Sequence, residues 1–325
     1  EDAVNFLNTQ FSSEQDNGSD FQVTVLNNNY YIRFADSAVE EVLRNSIGKD
    51  EGGGITVAEA ATSMFNRTLF TNNSLIEHFD EFKYFTKMNK NTDIGELFSG
   101  CVNLISTDLT NITILYFSMC KNCNSLRYFN GEDGPEYTLS LPNLMQTYDS
   151  RSSDPFAYCT TLKHILSLGI VTRLEGGTFR GCTNLEDVTL PSQCVNLQGS
   201  CFQDCSKLSV INLSQLTIIS NYAFNACSSL EYCDGPNSTQ GELNLPNLTG
   251  TLGNSAFRGC VKLTSIASLG SITSIGSSAF ENCTQLSNIN FPNTLTSVGA
   301  NAFNNTALED VTLPSQCVNL QGSCF

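Results

Sequence analysis

Fourteen cysteines are the residues of this 325-residue chain best equipped for chemistry. A thiolate can hold a metal, attack an electrophile or cycle to a disulfide. Metal and redox uses require convergence, as a short C-x-x-C spacing or as histidine partners. C-x-x-C occurs once, at Cys120–Cys123, and the two histidines, His78 and His164, lie far apart in the sequence. Neighbouring carboxylates such as Glu186–Asp187 have no second carboxylate fixed opposite, which paired acid–base work needs. The sequence has no G-x-S-x-G elbow, phosphate-binding loop or H-E-x-x-H pattern. No catalytic residue and no cofactor are expected.

The cysteines instead follow a ruler. FSGCVNL (98–104), FAYCTTL (156–162), FRGCTNL (179–185), FQDCSKL (202–208), FNACSSL (224–230), FRGCVKL (257–263) and FENCTQL (280–286) share one pattern. CKNCNSL (120–126) fits with Cys120 in the Phe slot, and FNNTAL (303–308) fits one residue short, with Thr306 in the Cys slot. A further unit opens at Phe325. Successive first letters are 22, 36, 23, 23, 22, 33, 23, 23 and 22 residues apart, so the base unit is 22–23 residues and two units carry insertions. Those two units also resemble each other, LRYFNGEDGPEYTLSLPNL (126–144) and LEYCDGPNSTQGELNLPNL (230–248). One 18-residue stretch, LEDVTLPSQCVNLQGSCF, occurs unchanged at 185–202 and 308–325. The array is expected to be longer in the native chain, since a tenth unit begins at Phe325.

A repeat of this length with regular leucines is the mark of a leucine-rich-repeat solenoid: short parallel β-strands plus irregular return segments, in a curved stack. In LEDVTLP (185–191), Leu185, Val188 and Leu190 are predicted to point inward, and Asp187 and Thr189 outward. No single unit buries its apolar face, so neighbours must stack. Cys101, Cys123, Cys159, Cys182, Cys205, Cys227, Cys260 and Cys283 share one slot and are predicted to form a buried column of small, half-polar groups. Cys194, Cys201, Cys233, Cys317 and Cys324 lie off that ladder, and a disulfide among them is left open.

The unit (A)F-x-x-C-x-x-L-x-x-I-x-L-P resembles the BspA-like leucine-rich repeats of bacterial surface proteins, over roughly 95–325. The stretches 32–65 and 72–87 resemble the segment that precedes such repeats, so 1–94 is expected to form an N-terminal region with a small helical cap. Two helices are predicted there, one from about Asp36 to about Ser46 and one from Thr56, with Glu59 completing a capping box. In relatives the intervening loop is similar to an EF-hand calcium loop. That pattern places Gly48 at position 1, Asp50 at 3, Gly52 at 5, Gly53 at the turn, Ile55 at 8 and Glu59 at 12. Only Asp50 is acidic among the first three odd positions, so Asp50 and Glu59 are weak calcium candidates and no metal is expected.

The formal charge is −16, from 32 acidic and 16 basic residues, which disfavours nucleic acid as a partner. No apolar run approaches the ~20 residues of a membrane span. No signal peptide is visible, as expected of a mature chain beginning at Glu1. The expected binding surface is the line of outward strand positions plus the two insertions. It places Tyr128, Asn130, Tyr232, Asp234, Asp187 and Asp310 as candidate ligand contacts, the tyrosines because each precedes an insertion. The family resemblance implies an extracellular or cell-surface adhesion protein with a protein ligand, its anchor or leader lying outside this sequence. Recognition of extracellular polysaccharide, or a spacer role, is the alternative; the absence of Trp weighs against sugar platforms.

Overall fold

The computed structural model describes residues 23–26, 29–50, 53–91, 94–147, 153–235 and 238–325. Each repeat unit makes one turn of a parallel β-solenoid with two strand columns. The first column starts at His78–Phe79 and runs through Ser106–Thr107, a bridge at Tyr128, Thr138–Ser140, His164–Ser167, Asp187–Val188 and Val210–Ile211. A bridge at Tyr232 follows, and then Glu242–Asn244, Ser265–Ser268 and Asn288–Ile289. The second column carries Ile114–Leu115, Gln146–Thr147, Arg173–Leu174, Asn196–Leu197, Ile218–Ile219, Thr249–Leu252, Ser271–Ile275, Ser297–Val298 and Asn319–Leu320. Every pairing within the columns is parallel apart from isolated bridges, because each coil runs in the same direction as the one before.

The inward pattern is the period-2 one. Leu185, Val188 and Leu190 are buried, Asp187 is half-buried and Thr189 is exposed. The third side of each coil is the F-x-x-C turn. There the residue before each ladder cysteine has a left-handed φ of 61–74°, from Gly100 through Tyr158 and Ala226 to Asn282, and Asn305 holds the same conformation before Thr306. That conformation costs a residue with a Cβ about 1 kcal/mol or more, and the regular stack holds it at each turn.

The turn sets up two internal ladders. Phe156, Phe179, Phe202, Phe224, Phe257, Phe280, Phe303 and Phe325 form a continuous stack, with ring centroids 5.2–5.7 Å apart and planes within 15° of parallel. Beside it, each ladder thiol donates to a carbonyl one coil back. Cys182 Sγ reaches Phe156 O at 3.2 Å, Cys205 reaches Phe179 O at 3.1 Å and Cys283 reaches Phe257 O at 3.1 Å. Cys101, Cys123, Cys159, Cys227 and Cys260 do the same at 2.9–3.3 Å. Cysteine suits this slot because it is small, apolar and still carries one weak donor for an otherwise unpaired buried carbonyl. Where Cys120 replaces the aromatic, Phe129 instead meets Phe156 edge-on at 6.2 Å.

The N-terminal region covers the first coil. Helix α1 (Ser37–Ser46) is capped by Asp36, whose carboxylate accepts from Ala38 N at 2.8 Å. The same carboxylate accepts from Glu77 N at 2.6 Å, tying the cap to the first strand. Helix α2 (Val57–Thr62) starts with the Thr56–Glu59 capping box. Phe65, Phe70, Phe79, Phe82, Phe85 and Phe98 fill the junction with ring contacts of 5.4–6.1 Å. An antiparallel hairpin, Val23–Leu26 with Asn29–Ile32, precedes it and was not legible in the repeat pattern.

Two differences from the sequence reading matter. The insertions are more than loops on the outside of a coil: each returns as an additional rung of the first column, Thr138–Ser140 and Glu242–Asn244. Tyr128 consequently pairs with Ser106 on one side and Thr138 on the other. Second, residues 308–313 form no strand, although the same letters at 185–190 do, so Asp310 lies outside the column.

Candidate binding face

The third positions of the first column align, by register, as Ser106, Tyr128, Thr138, His164, Asp187, Val210 and Tyr232. Tyr128, His164, Asp187, Val210 and Tyr232 are each half-buried. With strands ~4.8 Å apart, five steps put the two tyrosines roughly 24 Å from each other on one line. Between them His164 Nδ1 lies 2.6 Å from Asp187 Oδ2, and both side chains stay more than a third exposed, at 35% and 41%. This pair fixes an imidazole and a carboxylate side by side on the outer surface. Tyr137 flanks the line with Lys163 Nζ 4.6 Å from its ring centroid.

Asn130 and Asp234 work differently from the tyrosines. The Asn130 amide accepts from Ser140 N at 2.8 Å and donates to Ser140 O at 2.6 Å, closing the first insertion onto its own rung. Asp234 takes the corresponding position in the second insertion and accepts from Asn244 Nδ2 at 3.1 Å. Its other carboxylate oxygen is buried without a hydrogen-bond partner. Both residues position the insertions that flank Tyr128 and Tyr232. Asp310 is exposed and unaligned with this line.

Near the cap the structure brings together acids that local spacing does not announce, because they come from two separate stretches of the chain. Asp80 accepts from Glu132 N at 2.9 Å, and Glu132 in turn lies 2.8 Å from His78 Nδ1. Glu81 is fully buried and accepts from Ala35 N at 2.9 Å. Burial, reinforced by the neighbouring Asp80 charge, pushes the Glu81 carboxyl up to about 7. Asp80 is raised as well, again chiefly by burial. Asp80 Oδ1 and Glu81 Oε2 are buried without partners.

The weak calcium candidates are engaged otherwise or stand aside. Glu59 Oε2 accepts from Thr56 N at 2.9 Å, and Oε1 pairs with Lys49 Nζ at 2.5 Å. Asp50 O accepts from Gly53 N at 3.0 Å in the turn, and Gly52 lies outside the described residues. Among the described residues, no three His, Cys, Asp or Glu side chains are placed to hold a metal ion. All fourteen cysteines are free thiols, including Cys194, Cys201, Cys233, Cys317 and Cys324. Burial pushes Cys101, Cys182 and Cys283 up to about 12, which keeps these thiols protonated and poorly nucleophilic.

A solenoid with this repeat is recognised by its family model. The description "BspA type Leucine rich repeat region (6 copies)" matches residues 149–241 and 237–325. The chain belongs to the BspA-type leucine-rich repeat family. The BspA-type match spans both insertion-free runs and the second insertion, the part of the chain where the Phe stack is continuous. No curated protein matches the chain. Among solved structures, a leucine-rich repeat protein from Bacteroides ovatus is similar at 26% identity and TM-score 0.36, covering 71% of this chain and 74% of that one. A leucine rich cell surface protein from Faecalibacterium prausnitzii is similar at 20% identity and TM-score 0.35, covering 68% and 70%. A leucine-rich repeat protein from Eubacterium ventriosum is similar at 14% identity and TM-score 0.33, covering 74% and 83%. Among the described residues no helix is long and apolar enough to cross a membrane.

Proposed function

We propose that this BspA-type chain is a non-enzymatic binding protein of the cell surface or extracellular space, adhering to protein ligands through the first strand column. The observation that carries the reading is the line from Tyr128 to Tyr232, two half-buried tyrosines bounding His164, Asp187 and Val210. Tyrosine gives a large rigid apolar area with one polar tip, and such residues dominate protein interfaces. The insertions support the same face, since Asn130 and Asp234 hold each one beside a tyrosine. A protein ligand fits better than nucleic acid, which the −16 charge repels.

Binding of the full chain to a panel of extracellular-matrix proteins, read by surface plasmon resonance, tests this. Tyr128→Ala combined with Tyr232→Ala is expected to weaken the tightest interaction by at least roughly tenfold. Unchanged affinity in that double variant would remove this face from the proposal. A panel with no binder at all would favour the spacer role.

A further inference from the structure

The second strand column has a chemistry the first lacks. In the first column and its borders, Arg127 is exposed and Lys163, His164, Glu186, Asp187, Glu231 and Glu242 are half-buried. The strands of the second column contain one charged side chain, Arg173, and it is neutralised by Glu175 at 2.5 Å. From Leu243 to Leu308 the only charged residues are Arg258, Lys262 and Glu281, all outside these strands. In a chain of net charge −16, nine consecutive strands almost free of charge form a separate kind of surface.

Its hydroxyls also face one way. Thr217 Oγ1 donates to Val195 O at 3.1 Å, Thr249 to Thr217 O at 3.4 Å, Thr273 to Gly250 O at 3.2 Å and Thr296 to Thr273 O at 2.9 Å. Each hydrogen is thus directed back along the column to the preceding coil. A hydroxyl has one hydrogen and two lone pairs, so each of these oxygens keeps acceptor capacity for solvent or a ligand. Thr249, Thr251, Ser271, Thr273, Thr294 and Thr296 are exposed on this stretch. Further along the column, Met145 and Ile170 expose apolar surface, at 61% and 57%. Such a surface calls for a ligand that is uncharged, donates many hydrogen bonds and repeats along its length.

We infer that the second strand column is a docking face for a neutral, hydroxyl-rich polysaccharide chain, with the Thr217–Thr249–Thr273–Thr296 row accepting from sugar hydroxyls. This surface is distinct from the Tyr128–Tyr232 line, so either can fail without the other. A polyanionic glycan is disfavoured by the same logic, because the chain's net charge repels it and, among the described residues, the strands of this face carry no cation except Arg173, which Glu175 pairs.

Affinity electrophoresis of the full chain tests this, in native gels cast with neutral glucans (dextran, hydroxyethylcellulose) or with alginate. Retardation by a neutral glucan and none by alginate is expected. Thr273→Val with Thr296→Val keeps the β-branched shape while deleting two acceptors, and is expected to lower glucan affinity by roughly tenfold. Should that variant lose its fold, Thr251→Lys with Thr296→Lys, both at exposed positions, gives the same loss by placing charge on the face. Tyr128→Ala with Tyr232→Ala is expected to leave retardation unchanged. Three results would overturn the inference: no retardation in either neutral glucan, retardation that neither pair of substitutions alters, or retardation by alginate alone. Sedimentation showing self-association abolished by the Thr→Val pair would also overturn it, assigning the face to a second copy of the chain.

Discussion

Residues 185–202 and 308–325 are the same eighteen letters in two surroundings. In the first copy Leu185, Val188, Leu190, Cys194, Leu197, Cys201 and Phe202 are all buried, and Asp187–Val188 pairs with a strand on each side. In the second, Leu308, Val311, Leu313 and Cys317 are half-buried, Leu320 and Phe325 are 46% and 45% exposed, and 308–313 form no strand. The difference is one of neighbours. The first copy has a coil of this chain on both faces; the second pairs only backward, through Asn319–Leu320 on Ser297–Val298 and Phe325 on Phe303. The lesson is that a repeat's letters encode one face of a contact, and how deeply that face is buried depends on the coils beside it.

The largest separation is expected at the last letter. Phe202→Ala removes a ring stacked on both faces and is expected to cost about 3–5 kcal/mol by chemical denaturation. Phe325→Ala is expected to cost less than half of that, and equal losses would break the comparison. Leu185→Ala follows, at about 2–5 kcal/mol, against under about 1 kcal/mol for Leu308→Ala in the same assay. Amide exchange sharpens the point without mutation. Thr189 N donates to Ile165 O at 2.8 Å and is expected to exchange on the order of 100-fold more slowly than Thr312, as read by mass spectrometry or NMR.

Thiol chemistry gives a smaller contrast. Cys194 is buried and its thiol is pushed up to about 11, chiefly by that burial. Cys317 is raised too, yet it is partly exposed. Alkylation needs thiolate and access, so iodoacetamide labelling is expected at Cys317, accelerating as pH rises from 7 to 9, while Cys194 stays protected in the native chain. Peptide mapping that found the two labelled at equal rates would contradict the burial difference. The smallest effect is electrostatic. Asp187→Asn removes the partner of His164 and is expected to cost under about 1 kcal/mol by chemical denaturation. Asp310→Asn, at an exposed position, is expected to leave stability unchanged in the same assay.

The solenoid was legible because the F-x-x-C-x-x-L spacing repeats one coil's inward set, and period-2 alternation assigned the faces of 185–190. The caps of α1 and α2 were legible for a local reason, since Asp36, Thr56 and Glu59 act within three residues. The phenylalanine stack and the thiol-to-carbonyl bonds join residues one coil apart, so spacing placed them in columns but could not orient them. The return of each insertion as a strand was hidden too. Nothing local in TLS (138–140) separates a loop from a rung; the free edges of the neighbouring coils made that choice.

By itself the sequence determined the repeat, the coil length, the inward residues and the scarcity of charge between 243 and 308, because each is a property of residue type and spacing along one chain. Only the tertiary structure decided that Asn130 and Asp234 hold insertions while Tyr128 and Tyr232 line a face, that Asp80, Glu81 and Glu132 come together under the cap, and that the threonine hydroxyls turn their hydrogens backward. Those outcomes depend on which coil lies beside which. The two copies of LEDVTLPSQCVNLQGSCF share every letter and differ in burial, because a side chain is buried only against the neighbours that the fold places beside it.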